Sequence, residues 1–138
     1  MVMFRGSCLC GAVRYAAEAE PIFMGVCHCT NCQKQTGSAF SCEVAVPKPA
    51  LSISGATREF RHKGGSGKDV ITTFCPVCAT RLTAEIEVMP EVAMIAAGTL
   101  DDRGVFDGMT HIFCASAQPW VVFPDGAATF PAMPPMGD

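Results

Sequence analysis

Cys27-His28-Cys29-Thr30-Asn31-Cys32 places three thiols within six residues and brings no fourth ligand of its own. No other stretch constrains the chain as strongly. A zinc ion closed by four protein ligands is structural, whereas three protein ligands leave a position for water or substrate. The other cysteines are therefore weighed against that contrast. Cys8 and Cys10 lie between Gly6 and Gly11, which let the backbone turn tightly enough for both sulfurs to face one ion. Cys75-Pro76-Val77-Cys78 is a second knuckle, and the two pairs together offer four thiolates, the complement of a closed structural zinc. The duller explanation for these four is reduced cysteine buried as a small hydrophobe. For Cys27, Cys29 and Cys32 the alternatives to zinc are redox thiols, or an iron–sulfur ligand set completed by Cys42 or Cys114. Spacing alone does not decide which half-sites join.

With 138 residues the chain is long enough for one domain with a hydrophobic core, taken here as residues 1–130, followed by a flexible proline-rich tail over 131–138. A net charge of −3 argues against a nucleic-acid partner, which demands a basic face. Met1 to Gly6 lack the basic leader and apolar run of a signal peptide, and no later run is long enough to span a membrane. A cytoplasmic protein is expected. Thiols are kept reduced in that compartment, so nine cysteines point to metal ligands instead of disulfides.

Short alternating runs recur along the chain. Ala12–Ala16, Ile22–Val26, Ala39–Val46, Leu51–Ile53, Thr57–Arg61, Val70–Phe74, Arg81–Val88, Val92–Ala97, His111–Cys114 and Trp120–Phe123 are apolar or alternating, separated by Gly- and Pro-containing turns. On the Ala39–Val46 segment, Phe40, Cys42, Val44 and Val46 share one face, which makes Cys42 core-facing. Only one helix is predicted, a short one through Asn31–Gln35 capped by Thr30 and ended by Gly37. Many short strands with little helix predict an all-β sandwich or folded-over sheet. His28, between two ligands, should point away from the sulfurs. His62 and His111 are taken as a loop residue and a hydrogen-bonded strand residue. The Gly65-Ser66-Gly67-Lys68 loop fails as a phosphate loop, because Asp69 follows the lysine and His62 stands where the first glycine belongs. Arg58, Arg61, Lys63 and Lys68 could meet the carboxylates of an anionic substrate.

Four pieces of the chain resemble the glutathione-dependent formaldehyde-activating family, which also contains the centromere protein V domain. They are Gly6 to Val13; Cys27 to Cys32 continued by Gly37-Ser38-Ala39-Phe40; Phe74 to Cys78; and His111-Ile112-Phe113 with Pro119-Trp120. The resemblance implies an Mss4-like folded β-sheet with zinc knuckles. It assigns a structural zinc to Cys8, Cys10, Cys75 and Cys78, and a second zinc, the catalytic one, to Cys27, Cys29 and Cys32, making two Zn²⁺ per chain. Ala79 departs from the pattern, standing where the family usually has glycine after the CxxC.

The implied activity is that of a carbon–sulfur lyase of the S-(hydroxymethyl)glutathione synthase type. A thiol such as glutathione, activated at the open position, adds reversibly to formaldehyde or a related small aldehyde. The competing expectations on the same fold are a non-catalytic zinc-binding scaffold and a thiol redox sensor.

Overall fold

The computed structural model describes residues 1–134. Pro135 to Asp138, which hold the last part of the expected flexible tail, lie outside the described residues. The chain divides into two compact units, the first made of Met1–Phe23 and Val44–Phe106, the second of Met24–Glu43 and the chain from Asp107 on. In order, the strands are β1 (Val2–Ser7), β2 (Arg14–Ala19), β3 (Phe23–Cys27), β4 (Ser41–Pro47), β5 (Leu51–Ser54), β6 (Arg58–Lys63), β7 (Asp69–Phe74), β8 (Arg81–Ile86), β9 (Val92–Ala96), β10 (Thr110–Ile112) and β11 (Ala128–Thr129). One α-helix, α1 (Thr30–Thr36), and four short 3-10 turns complete the described elements. The fold is all-β and Mss4-like, as expected.

In the first unit β1, β2 and β5 form an antiparallel sheet in the order β1-β2-β5. The strand β1 was not among the predicted ones, although it pairs with β2 over its whole length and buries Phe4 completely. Its Arg5 and Gly6 interrupt the apolar pattern, but Gly6 is where a side chain would collide with the Thr99 carbonyl and the Tyr15 hydroxyl. That close approach lets the Tyr15 hydroxyl reach Thr99 Oγ1 at 2.7 Å. A second antiparallel run, β6-β7-β8-β9, carries a bulge between Thr73 and Phe74, immediately before the Cys75 knuckle. The bulge re-aims the end of the strand. Phe4, Val13, Val44, Val46, Leu82 and Ile95 are wholly or almost wholly buried in this unit, each contributing about 1.5–3 kcal/mol by removal from water.

In the second unit β10 runs parallel to both β3 and β11, with His111 opposite Val26 and Ile112 opposite Cys27. Parallel neighbours need a long connection, and here 82 residues separate the end of β3 from the start of β10. The strand β4 departs from the expectation that Cys42 faces the core. Ser41 and Glu43 are as buried as Val44 and Val46, while Cys42 is only half-buried. The alternation is real, but neither face is left to water. From Phe130 to Ala132 the carbonyls accept hydrogen bonds from Cys114, Ala115 and Phe113, so the chain is tied to β10's exit as far as Ala132.

Candidate metal centres

Two turns of the first unit build the first cysteine group. Cys8 accepts a hydrogen bond on its sulfur from the Val13 N–H at 3.3 Å, and its carbonyl accepts from Gly11 N at 3.1 Å, with Gly11 in the left-handed region (φ 81°). The second turn repeats the device. Cys75 Sγ accepts from Val77 N at 3.4 Å, its carbonyl accepts from Ala79 N at 2.9 Å, and Ala79 holds a left-handed φ of 66° without being glycine. Thr80 joins the turns, its hydroxyl accepting from Leu9 N at 3.1 Å and lying 3.2 Å from Cys78 Sγ.

Cys8, Cys10, Cys75 and Cys78 bring all four sulfurs within 4.8 Å of one another. The Cys8–Cys10 and Cys10–Cys75 separations are 3.6 and 3.8 Å. A tetrahedron with zinc–sulfur bonds of about 2.3 Å has edges of about 3.8 Å, so the spacing fits. The Thr80 hydroxyl, seconded by backbone N–H groups, holds Cys78 down to about 5, poised as a thiolate.

The second group lies at the end of β3 and the start of α1. The helix begins one residue earlier than predicted. Cys29, not Thr30, caps it, with extended backbone and a sulfur that accepts the Cys32 N–H at 3.2 Å. The expected Gly37 does end it, in the left-handed region. A thiolate in the cap position meets a free N–H in the first turn, which is why a cysteine can take the place usually held by a hydroxyl or carboxylate. Cys27, Cys29 and Cys32 have their sulfurs within 4.8 Å, and Cys32 Sγ is 3.4 Å from Cys27 Sγ. Hydrogen bonds from the thiols of Cys27 and Cys32 push Cys29 down to about 2, and the same sharing pushes Cys27 up. Hydrogen bonding among the three sulfurs thus favours the thiolate at Cys29. Neither Cys42 nor Cys114 belongs to this group, and among the described residues the group has no fourth protein ligand. Soft sulfur-only donor sets of this kind suit zinc.

The expectation that His111 is a hydrogen-bonded strand residue holds, but its partner behind the second group, His28, was not expected. His28 is completely buried, and its Nε2 is 2.9 Å from Nδ1 of His111, itself almost fully buried. Phe40 and Phe123 pack edge-on against the His28 ring at 5.3 and 5.4 Å between centroids. Burial first, and the neighbouring His111 second, hold His28 below the ordinary imidazole range. Gln33 of α1 donates to the His28 carbonyl at 2.8 Å and to Ser116 O at 2.9 Å, and accepts from Gln118 at 2.7 Å. Of the basic residues suggested for anionic substrate, Arg61 and Lys63 are both paired with Asp69, at 3.1 and 2.7 Å.

The fold resembles the crystal structure of a Rhodobacter sphaeroides protein solved by structural genomics, with a TM-score of 0.56 and 20% identity over 75% of this chain and 96% of that one. No curated protein matches the sequence. The family model described as glutathione-dependent formaldehyde-activating enzyme matches residues 3–116, a span that contains both cysteine groups. The chain belongs to the glutathione-dependent formaldehyde-activating enzyme family.

Proposed function

We propose that the protein is a zinc-dependent enzyme of carbon–sulfur bond formation and cleavage, adding a thiol such as glutathione to formaldehyde or a related small aldehyde. Cys27, Cys29 and Cys32 would hold the catalytic zinc, and Cys8, Cys10, Cys75 and Cys78 a structural one. The observation that carries this reading is the second group itself, three sulfurs clustered within 4.8 Å with no fourth protein ligand among the described residues. A zinc bound there supplies Lewis acidity that keeps an incoming thiol deprotonated at neutral pH.

The protein's part is to hold the three sulfurs in place and to leave the remaining direction free. In the addition the thiol's S–H bond breaks, a carbon–sulfur bond forms at the carbonyl carbon, and the carbonyl oxygen ends as a hydroxyl carrying one proton. No redox partner is involved. The reverse reaction releases thiol and aldehyde. A cytoplasmic setting, where glutathione is abundant and thiols stay reduced, suits this chemistry, and residues 1–130 acting as one domain belong to the same proposal.

The test combines metal analysis with product detection. Two zinc equivalents per chain, together with S-hydroxymethyl product formed from glutathione and formaldehyde faster than in buffer alone, are expected. One equivalent at saturation, with Cys27, Cys29 and Cys32 free to alkylate, sinks the reading. The 3.4 Å approach of Cys27 and Cys32 sulfurs favours a second reading, a peroxide-driven disulfide switch. Mild peroxide should then eject zinc and join these two cysteines.

A further inference from the structure

The buried histidine pair can be assigned tautomers from its partners alone. His111 Nε2 lies 3.0 Å from the Gly108 carbonyl, which can only accept, so this nitrogen carries a proton. With Nε2 as the donor of His111, its Nδ1 serves as the acceptor of the 2.9 Å contact, which places the proton on His28 Nε2. His28 Nδ1 is left as a bare lone pair, buried and without a hydrogen-bond partner. A donor chain thus runs from His28 through His111 to Gly108 O, and it points in one direction.

The same ring is fixed from several other sides. Phe40 and Phe123 pack edge-on against it, and Phe123 also meets His111 at 5.0 Å, nearly perpendicular. The backbone of His28 is pinned at both polar atoms, its N–H donating to Ile112 O at 3.0 Å and its carbonyl accepting from Gln33. Cys27 and Cys29 are the covalent neighbours of this residue. A residue clamped in its side chain, its N–H and its carbonyl leaves little freedom to the sulfurs on either side.

We propose that His28 and His111 are positioning residues for the second cysteine group, a hydrogen-bonded pair that holds the Cys27–Cys29 backbone so that three sulfurs are preset for one metal ion. This rests on the metal-binding part of the function proposed above. Support of this kind behind a metal site typically changes metal affinity by about 10–100-fold when removed. The acceptor on His111 is the critical atom. His111→Leu deletes it, leaving the buried His28 N–H with no partner, whereas His111→Gln offers an amide oxygen to His28 and an amide N–H to Gly108.

The experiment titrates zinc against a competing chelator in the full chain, following the two equivalents separately, and records the ring-nitrogen spectrum of the unsubstituted protein. Protons on Nε2 of both histidines are expected in the spectrum. In His111→Leu the second equivalent should bind about 10–100-fold more weakly, with the first unchanged, and His111→Gln should recover most of the loss. The proposal is overturned if His111→Leu keeps full affinity, if His111→Gln is as impaired as His111→Leu, or if His28 carries its proton on Nδ1.

Should the unsubstituted chain take up only one zinc, the functional reading fails and the positioning claim is judged on the metal-free protein by maleimide labelling. Half-buried Cys29 and Cys32 should label ahead of buried Cys27, and His111→Leu should erase that preference. An unchanged labelling order overturns the claim.

Discussion

The first cysteine group takes its sulfurs from two turns, with Cys10 and Cys75 lying 65 positions apart, while the second takes all of its own from the end of β3 and the first turn of α1. The two are supported in opposite ways. The first exists only when distant strands of its unit are in register, and its own turns supply the hydrogen bonds to sulfur. The second is local in sequence, but its support comes from His111, Ser116, Gln118 and Phe123 at the far end of the chain. A site assembled from distant turns couples metal to folding, because the unfolded chain holds no such site. A local site stands on a backbone that other contacts already hold, so losing its metal leaves the fold standing.

The largest expected effect follows from that coupling. Cys75 is completely buried at the centre of the first group, and Cys75→Ser should lose the first zinc and with it cooperative unfolding of the chain. Structural zinc contributes on the order of 10 kcal/mol to folding in small domains, comparable to the whole stability of an ordinary one. Thermal denaturation followed by circular dichroism, with metal analysis alongside, measures this. A sharp transition near that of the unsubstituted protein would show that the first group is not a folding clamp.

Cys32→Ser is the counterpart in the second group. It should lower zinc content by one equivalent and bring thiol–aldehyde addition to the background rate, while Tm moves by only a few degrees, as for a change of about 1 kcal/mol. Product formation monitored by proton NMR and a melting curve on the same sample decide it. If both groups empty together, or if the melting transition is lost, the contrast between a folding site and a reacting site is wrong.

How much of this could be seen in the residues depends on the range of the interaction. The cysteines are legible as candidate metal ligands from their spacing, but their division into four and three comes only from the family resemblance, and most strands are legible from alternation. The strand β1 was not, since Arg5 and Gly6 obscure a pattern that pairing with β2 satisfies. Cys29 as helix cap escaped because capping preferences are read from oxygen side chains. The burial of Ser41 and Glu43 leaves no mark in the alternation, which separates two faces without saying whether either meets water. The histidine pair lay furthest out of reach. His28 and His111 are 83 positions apart, brought together by parallel pairing of β3 and β10, and parallel register leaves no local mark in a sequence.

A smaller effect sharpens the description of the first group. In the metal-free protein Cys78 is held near 5, first of all by the Thr80 hydroxyl, against an ordinary thiol value of 9.0. A folded value lowered in this way adds stability that is fully present above pH 9.0, declines as pH falls through the window between, and is gone below about 5. Thr80→Val should move Cys78 back up, reduce thiolate absorbance at neutral pH, and shift acid release of the first zinc to higher pH. The second zinc should be released at an unchanged pH. Identical release curves for both proteins would remove Thr80 from the account.

The smallest effect compares the two turns of the first group with each other. Gly11 and Ala79 do the same work, each donating its N–H to the carbonyl of the first cysteine in its turn, at 3.1 and 2.9 Å, and each with a left-handed φ. Gly11 does this freely, whereas the Cβ of Ala79 crowds its own backbone at a cost of about 1 kcal/mol. Ala79→Gly should therefore raise Tm by about 4 °C, and Gly11→Ala should lower it by a similar amount. Because both turns feed one group of sulfurs, the double variant exchanges the strain from one knuckle to the other and should return Tm close to that of the unsubstituted protein. If Ala79→Gly leaves Tm unchanged while Gly11→Ala lowers it, the second knuckle has absorbed the left-handed residue without strain and the two turns are not equivalent.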